Sequence, residues 1–309
     1  MYSFTVGICA TDDSCNVERL MERVSLELLP LHCRISDMVV VVSGSTDGTD
    51  SIVDSFSSGL NKTVILEEKR KGKSEAVNRI LNCMKGEHLI MVNGDALPQP
   101  GAISCMMQRL LEGGSAVVCA LPVPAESDCP VLVRHICEFL WKLHNRTMEI
   151  LQESGERIHL SDEMIGLNQE ALTPLPEGTV NDGAYVAARA QQYGQKVSFC
   201  SEARVNVSVP SDLHGLYLQR RRILYGHMLV REMAGSAPGT VEFKLIEKPL
   251  LSFRILLSTL KEYPAGAALL PVILAVELRA LSAALRDRMR KKDIHTIWQR
   301  TENAAWRKV

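Results

Sequence analysis

The sequence predicts an α/β fold, with a mostly parallel central sheet, helices on both faces and a C-terminal helical appendage. Three observations predict it. Through the first 125 residues, β-branched apolar runs alternate with amphipathic segments, as expected of strands buried on both faces and joined by crossover helices. Residues at the carboxyl ends of the first four strands (Ala10–Asp13, Ser43–Asp47, Glu68–Lys73, Asn93–Asp95) are polar, and ligands bind outside those ends in parallel sheets. From Leu250 onward the composition turns apolar without a strand signal. A chain of 309 residues accommodates one large domain with an appendage, divided here as 1–235 and 236–309.

The elements follow in order. "FTVGICA" (4–10) reads as a buried strand, and Val17, Leu20, Met21, Val24 and Leu28 share a helical face with Asp12, Asp13 or Ser14 as cap. "DMVVVVSG" (37–44) is a second buried strand, and "SGSTDGTD" opens a short helix capped by Ser45, Thr46 or Asp47. "TVILEE" (63–68) is a third strand. Val77, Ile80, Leu81 and Met84 then line one face of a helix. "HLIMVNGD" (88–95) is the fourth strand, before a Pro-rich turn. A helix carrying Ile103, Met106, Met107, Leu110 and Leu111 leads to a fifth strand at 115–123. A long helix spans 131–151, with Val133, Ile136, Cys137, Leu140 and Leu143 inward. Beyond it, a short strand, a loop and a helix lead to the strand-like "KVSFCS" and "ARVNVSVP", and residues 210–232 read as helix.

Composition narrows the function. A formal net charge of −1 excludes a global attraction to nucleic acid. The nine cysteines form no CxxC pair and several sit in apolar runs, which fits buried thiols in a reducing compartment rather than disulfides or zinc. The N-terminus has no basic region leading into an apolar stretch, so no signal peptide is expected and the location is read as cytoplasmic. In the C-terminal region, the apolar run 265–276 is about half the ~20 residues a spanning helix needs. An amphipathic segment on a membrane surface fits better, with Arg286, Arg288, Arg290, Lys291 and Lys292 toward anionic headgroups and Trp298 and Trp306 as anchors. A packed or oligomer-forming helical hairpin is the other reading.

The ordered segments "CATDDSCNV", "VVVSGSTDGT", "KRKGKSEAVNRIL", "IMVNGDALPQPGA", "NDGAY" and "QRRRILYG" resemble family 2 glycosyltransferases of the GT-A fold, from about Val6 to Gly226. The resemblance implies transfer of a sugar from a nucleotide-diphosphate donor to a glycan or lipid-linked hydroxyl acceptor, usually with inversion. It implies a donor site at Thr11, Asp13, Ser43, Lys73, Asn93, Gly94 and Asp95. Asp13 would bind base or ribose, although Asp12 or Asp13 also suits a helix cap. Ser43 stands where the family often has an acid. Lys73 or Lys71 would near the phosphates at a helix N-terminus, unless this is a solvated basic loop. The family holds Mg²⁺ or Mn²⁺ with two Asp residues one apart. Here Asn93 replaces the first, which leaves Asp95 as the metal ligand or, on the plainer reading, a polar turn.

Asp182 matches the catalytic base, with Asn181 where Glu is usual; capping the following helix is its structural alternative. Gln219 and Arg222, three apart on one helical face, resemble a Gln-x-x-Arg-Trp element in which Arg222 stabilises the leaving diphosphate, with Ile223 in place of Trp. Arg220 and Arg221 read as a solvated or membrane-facing basic face, and His214 and His227 as structural. A nucleotidyltransferase would need a Gly-rich phosphate loop after the first strand, which "ATDDSCN" lacks. A non-catalytic relative that binds a nucleotide sugar or a protein remains the rival reading.

Overall fold

The computed structural model describes residues 1–235, 238–290 and 294–297. Eight strands form one sheet in the order β3-β2-β1-β4-β7-β6-β8-β5: β1 (Tyr2–Ala10), β2 (Cys33–Ser43), β3 (Lys62–Glu67), β4 (His88–Asn93), β5 (Ala96–Pro98), β6 (Val117–Pro124), β7 (Met164–Leu167) and β8 (Val197–Val207). The neighbours β3-β2-β1-β4 are parallel. β7 then runs antiparallel between β4 and β6, and β5 runs antiparallel on the outer side of β8.

Strand alternation divides the core. Val40 and Val42 of β2 pack with Leu20 and Met21 of α1 (Val17–Ser25) and Ile103 and Met106 of α4 (Ala102–Glu112). Val39 and Val41 point the other way, to a second core with Val77 and Ile80 of α3 (Lys73–Cys83) and Met148 and Leu151 of α5 (Val131–Glu153). The uninterrupted valine run is therefore buried on both sides, as its composition predicts. α2 (Thr49–Ser55) and α6 (Asp182–Gln192) complete the crossovers.

Several local expectations are corrected. α1 stops at Ser25, and Leu28 lies beyond it, 87% exposed. Neither Asp12, Asp13 nor Ser14 caps α1, which follows Asn16; the Asp13 carboxylate instead accepts from the Thr11 backbone N–H. α2 follows Gly48 rather than a polar cap, though the Asp47 carboxylate accepts from Thr49 N–H. The Pro-rich stretch after Asp95 is a strand, β5, and the two segments after 196 are one strand, β8.

The C-terminal helices are α7 (Leu213–Ala234), α8 (Val241–Glu247), α9 (Pro249–Glu262) and α10 (Gly266–Met289). α10 lies along α7 through the small residues Ala280 and Ala284, against Leu224 and Tyr225. Charges lock the same seam and tie α8 to α7. Arg220 pairs with Glu242 and Glu277 at 2.6 Å each, and Arg221 donates to Asp287 at 2.6 Å. Arg220 and Arg221 are thus internal tie-points rather than a solvated face. Arg288 is likewise paired with Glu232, while Arg286 and Arg290 stay exposed. Lys291, Lys292, Trp298 and Trp306 lie outside the described residues. α10 is long and apolar enough to cross a membrane by length and composition, and most of it is exposed here.

Candidate active site

A cavity of about 360 Å³ lies across the carboxyl ends of β1, β2 and β4. Thr11, Asp13, Ser43, Lys73, Asn93, Asp95, Gln219 and Arg222 all line it. The strand ends thus bring together residues spread over more than 200 positions. Residues on both sides of position 235 contribute, since Thr240, Glu242, Thr296 and Ile297 complete the wall.

At one end, Asp12 adopts a left-handed φ of +50°, an uncommon conformation for a residue with a side chain. It is held there by Thr46, whose N–H donates to Oδ1 at 2.7 Å, and by Arg70 at 3.0 Å. The turn directs Asp13 inward, where its backbone N–H donates to the Thr49 hydroxyl. Ser43 donates to Glu67 at 2.8 Å, so its hydroxyl is tied to the neighbouring strand. The basic residue that lines the cavity ahead of α3 is Arg70, not Lys71, which is exposed.

The Asn93-Gly94-Asp95 segment is pinned from several directions. Gly94 N–H donates to Cys9 O, and the buried Asn16 amide donates to the carbonyls of Gly94 and Ala96 at 2.8 and 3.0 Å. A Cβ on Gly94 would stand 2.2 Å from Asp13 Oδ2, so only glycine lets the two loops meet. The Ser208 hydroxyl donates to Asp95 Oδ2 at 3.1 Å. Asn93 does not face open solvent: its amide donates to Glu163 Oε2 at 3.1 Å.

Asp162 and Glu163, just before β7, also line the cavity, and the sequence reading missed both. Their signal was present in "HLSDEM", where an acidic pair abuts an apolar run just as Asp95 does. Burial and then the Asp95 charge push the Glu163 carboxyl up to about 7. Asp182 sits one layer behind the wall, 2% exposed, at the first position of α6. It does not serve as a side-chain cap. Lys73 donates to it at 3.0 Å and lies 3.7 Å from Asp162. Burial, reinforced by Asp162, pushes Asp182 up to about 7 even with Lys73 beside it. Lys73 is accordingly engaged with carboxylates. Although burial opposes its charge, Asp182 and Asp162 hold its ammonium above the ordinary range.

Arg222 reaches back to the Val180 carbonyl at 3.1 Å and the His295 carbonyl at 3.4 Å, and burial lowers its guanidinium from the usual value. The close approach of α7 to Asn181 requires Gly226, whose Cβ would meet the Asn181 side chain at 2.5 Å. Asn181 in turn donates to the Ile223 carbonyl. The far wall carries His144, His159 and His227, packed edge to face with ring centroids 5.7 and 4.8 Å apart. Burial pushes His144 and His227 down to about 4 and His159 well below the ordinary value, so the three imidazoles are neutral at pH 7. His214 lies outside this cluster, and among the described residues no three His, Cys, Asp or Glu side chains converge as a metal site.

The family model for glycosyl transferase family 2 matches residues 6–174, more than half of the chain. Glycosyltransferase GlyG of Streptococcus pneumoniae serotype 4 is 29% identical over 83 residues, 26% of this chain; the match spans only 28% of that relative. Among solved structures, the mannosyltransferase PcManGT from Pyrobaculum calidifontis, in complex with GDP-Man and Mn²⁺, superposes with a TM-score of 0.64. It is 18% identical, with 94% of this chain and 87% of that one covered. Glucosyl-3-phosphoglycerate synthase from Mycobacterium tuberculosis, in complex with Mn²⁺, UDP and phosphoglyceric acid, gives 0.52 at 17% identity, over 76% of this chain and 79% of that one. These structures share the fold, a GT-A sheet with flanking helices. On the extent of the family match, the chain belongs to glycosyl transferase family 2.

Proposed function

We propose that the protein transfers a hexosyl group from a nucleoside-diphosphate sugar to an acceptor hydroxyl, with inversion. The observation that carries this reading is the buried Asp182–Lys73 pair, 3.0 Å apart, at the edge of a cavity that also holds Asp13 and Asp95. A carboxyl near 7 is matched to proton transfer at neutral pH. The acceptor oxygen attacks the anomeric carbon as the bond to the diphosphate breaks; Asp182 takes the acceptor proton, and the diphosphate leaves with the bonding electrons. Asp182 lies behind Lys73, so the ammonium must move first. A donor diphosphate would draw Lys73 toward itself and uncover the base. Arg222 and Gln219 then face the leaving group. The nucleotides bound in the structures of similar fold, the donor GDP-Man in one and UDP in the other, support a nucleotide at the Asp13 end.

The residues at the rim fit Mg²⁺ or Mn²⁺. Asp95 is a hard oxygen donor oriented by Ser208, on a loop fixed by Asn16 and cradled by Gly94 against Asp13. Without three convergent protein ligands, the cation would complete its shell with diphosphate oxygens and water. When bound, it would neutralise charge developing on the leaving diphosphate.

The acceptor is proposed to be a glycan or a lipid-linked hydroxyl, met at the cytoplasmic membrane face. Exposed Leu250, Phe253, Leu274, Leu278 and Leu285, with Arg286 and Arg290, support peripheral attachment. Flotation with anionic vesicles checks it, and a chain that stays with the soluble fraction refutes it. The transferase reading is tested by calorimetric titration with UDP and GDP, each with and without Mn²⁺. Metal-dependent binding lost in Asp95→Ala is the expected result. If neither nucleotide binds with metal present, the protein is a non-catalytic relative.

A further inference from the structure

We infer that Glu163 replaces the carboxylate missing at position 93, so that the divalent cation is held between Asp95 and Glu163 together with the donor diphosphate. The inference rests on the donor-and-metal reading above and names a ligand for it. Its basis is the antiparallel insertion of β7. Val92 pairs with Met164, which puts Glu163 directly across the sheet rim from Asn93. Two hydrogen bonds fix that register: Asn93 N–H donates to the Glu163 carbonyl at 3.1 Å, and the Asn93 amide donates to Glu163 Oε2 at 3.1 Å.

The two residues are chemically matched. An aspartate side chain at 93 has no N–H to donate and would set a like charge against Glu163. Asparagine accepts that arrangement and holds the glutamate in place. The second Glu163 oxygen makes no hydrogen bond among the described residues, and both Glu163 and Asp95 line the same cavity. The site thus keeps two carboxylates at its rim, with the first carried just ahead of β7 instead of at the end of β4. Asn93 becomes the outer support that orients a ligand, a part normally filled by hydrogen-bonding neighbours of metal-bound carboxylates. Two carboxylates leave most of an octahedral Mg²⁺ or Mn²⁺ shell for phosphates and water.

The test is a Mn²⁺ titration followed by the electron paramagnetic resonance signal of free Mn²⁺, at saturating GDP or UDP, whichever binds. Glu163→Gln keeps the acceptor for Asn93 and removes the charge. It should weaken Mn²⁺ binding by about tenfold or more, as should Asp95→Asn, with circular dichroism showing both variants folded. Should Glu163→Gln fail to fold, Glu163→Asp keeps the charge but withdraws it by one methylene, and is expected to bind Mn²⁺ more weakly than the parent. Parent-like Mn²⁺ affinity in the folded Glu163 variant, with loss in Asp95→Asn, overturns the role of Glu163 and leaves the transferase reading standing. Absence of any Mn²⁺ uptake by the nucleotide-bound parent overturns both.

Discussion

Replacing Asp182 by asparagine should change the pH dependence of stability by a calculable amount. In the folded protein its carboxyl is raised to about 7, first by burial and then by Asp162, whereas the unfolded chain titrates near 3.8. The folded state therefore holds a proton that the unfolded state has already released. Such a group contributes most below 3.8, loses its contribution as pH rises toward 7, and is flat above 7. At about 1.4 kcal/mol per unit, the span from pH 5 to about 7 corresponds to about 3 kcal/mol. Lys73 is charged throughout this window, and Asp182 is the smallest of the causes that shift Glu163, so the other terms nearly cancel in the comparison. Urea unfolding at pH 5, 6, 7 and 8, followed by circular dichroism, measures it. Relative to the parent, Asp182→Asn should gain about 3 kcal/mol between pH 5 and pH 8. Parallel stability curves would refute the raised carboxyl, and with it the case for Asp182 as a base at neutral pH.

Other outcomes follow from the same geometry. Lys73→Met removes the cation beside Asp182, so the acid limb of the kcat/KM profile for donor hydrolysis should move to higher pH, with donor affinity reduced about tenfold; an unmoved limb contradicts the pairing. Arg220→Met leaves Glu242 and Glu277 without their partner and should cost about 3–5 kcal/mol in denaturant unfolding. Asn16→Ala frees the carbonyls of Gly94 and Ala96 and should cost about 1–3 kcal/mol while loosening nucleotide binding, read by calorimetry. Removing divalent metal with EDTA should abolish donor turnover, and added Mn²⁺ should restore it.

What was legible in the sequence was local. Strands β1 to β4 announce themselves by continuous apolar runs, and their polar carboxyl ends mark the cavity; the family resemblance then singles out Asp13, Ser43, Lys73 and Asp95 among the residues there, and all four line it. Asp162 and Glu163 escaped because they precede their strand. They reach the same rim only since β7 is inverted, and no short-range pattern specifies that inversion. Arg220 and Arg221 looked solvated because their partners lie 22, 57 and 66 residues further along the chain. Leu28 kept the helical period of α1, yet the helix ends at Ser25 before the spacing can matter. Lys73 lines the cavity, but its engagement with Asp182 depends on packing between α3 and α6.

β5 follows β4 by only two residues, yet among the described residues it pairs only with the end of β8, and Asp95 meets Ser208 across 113 residues of sequence. The parallel half of the sheet can assemble as soon as β4 is made, whereas the loop carrying Asp95 has no partner strand until β8 has left the ribosome. Contacts of such separation form late, after the costly closure of a long intervening chain. A nascent chain arrested before β8 would thus own the parallel half of the sheet, a core still lacking the side chains of β8 and α7, and a disassembled phosphate end. Nucleotide binding is then a property acquired at the last step of folding, and it reports completion of the sheet more sharply than helical content does.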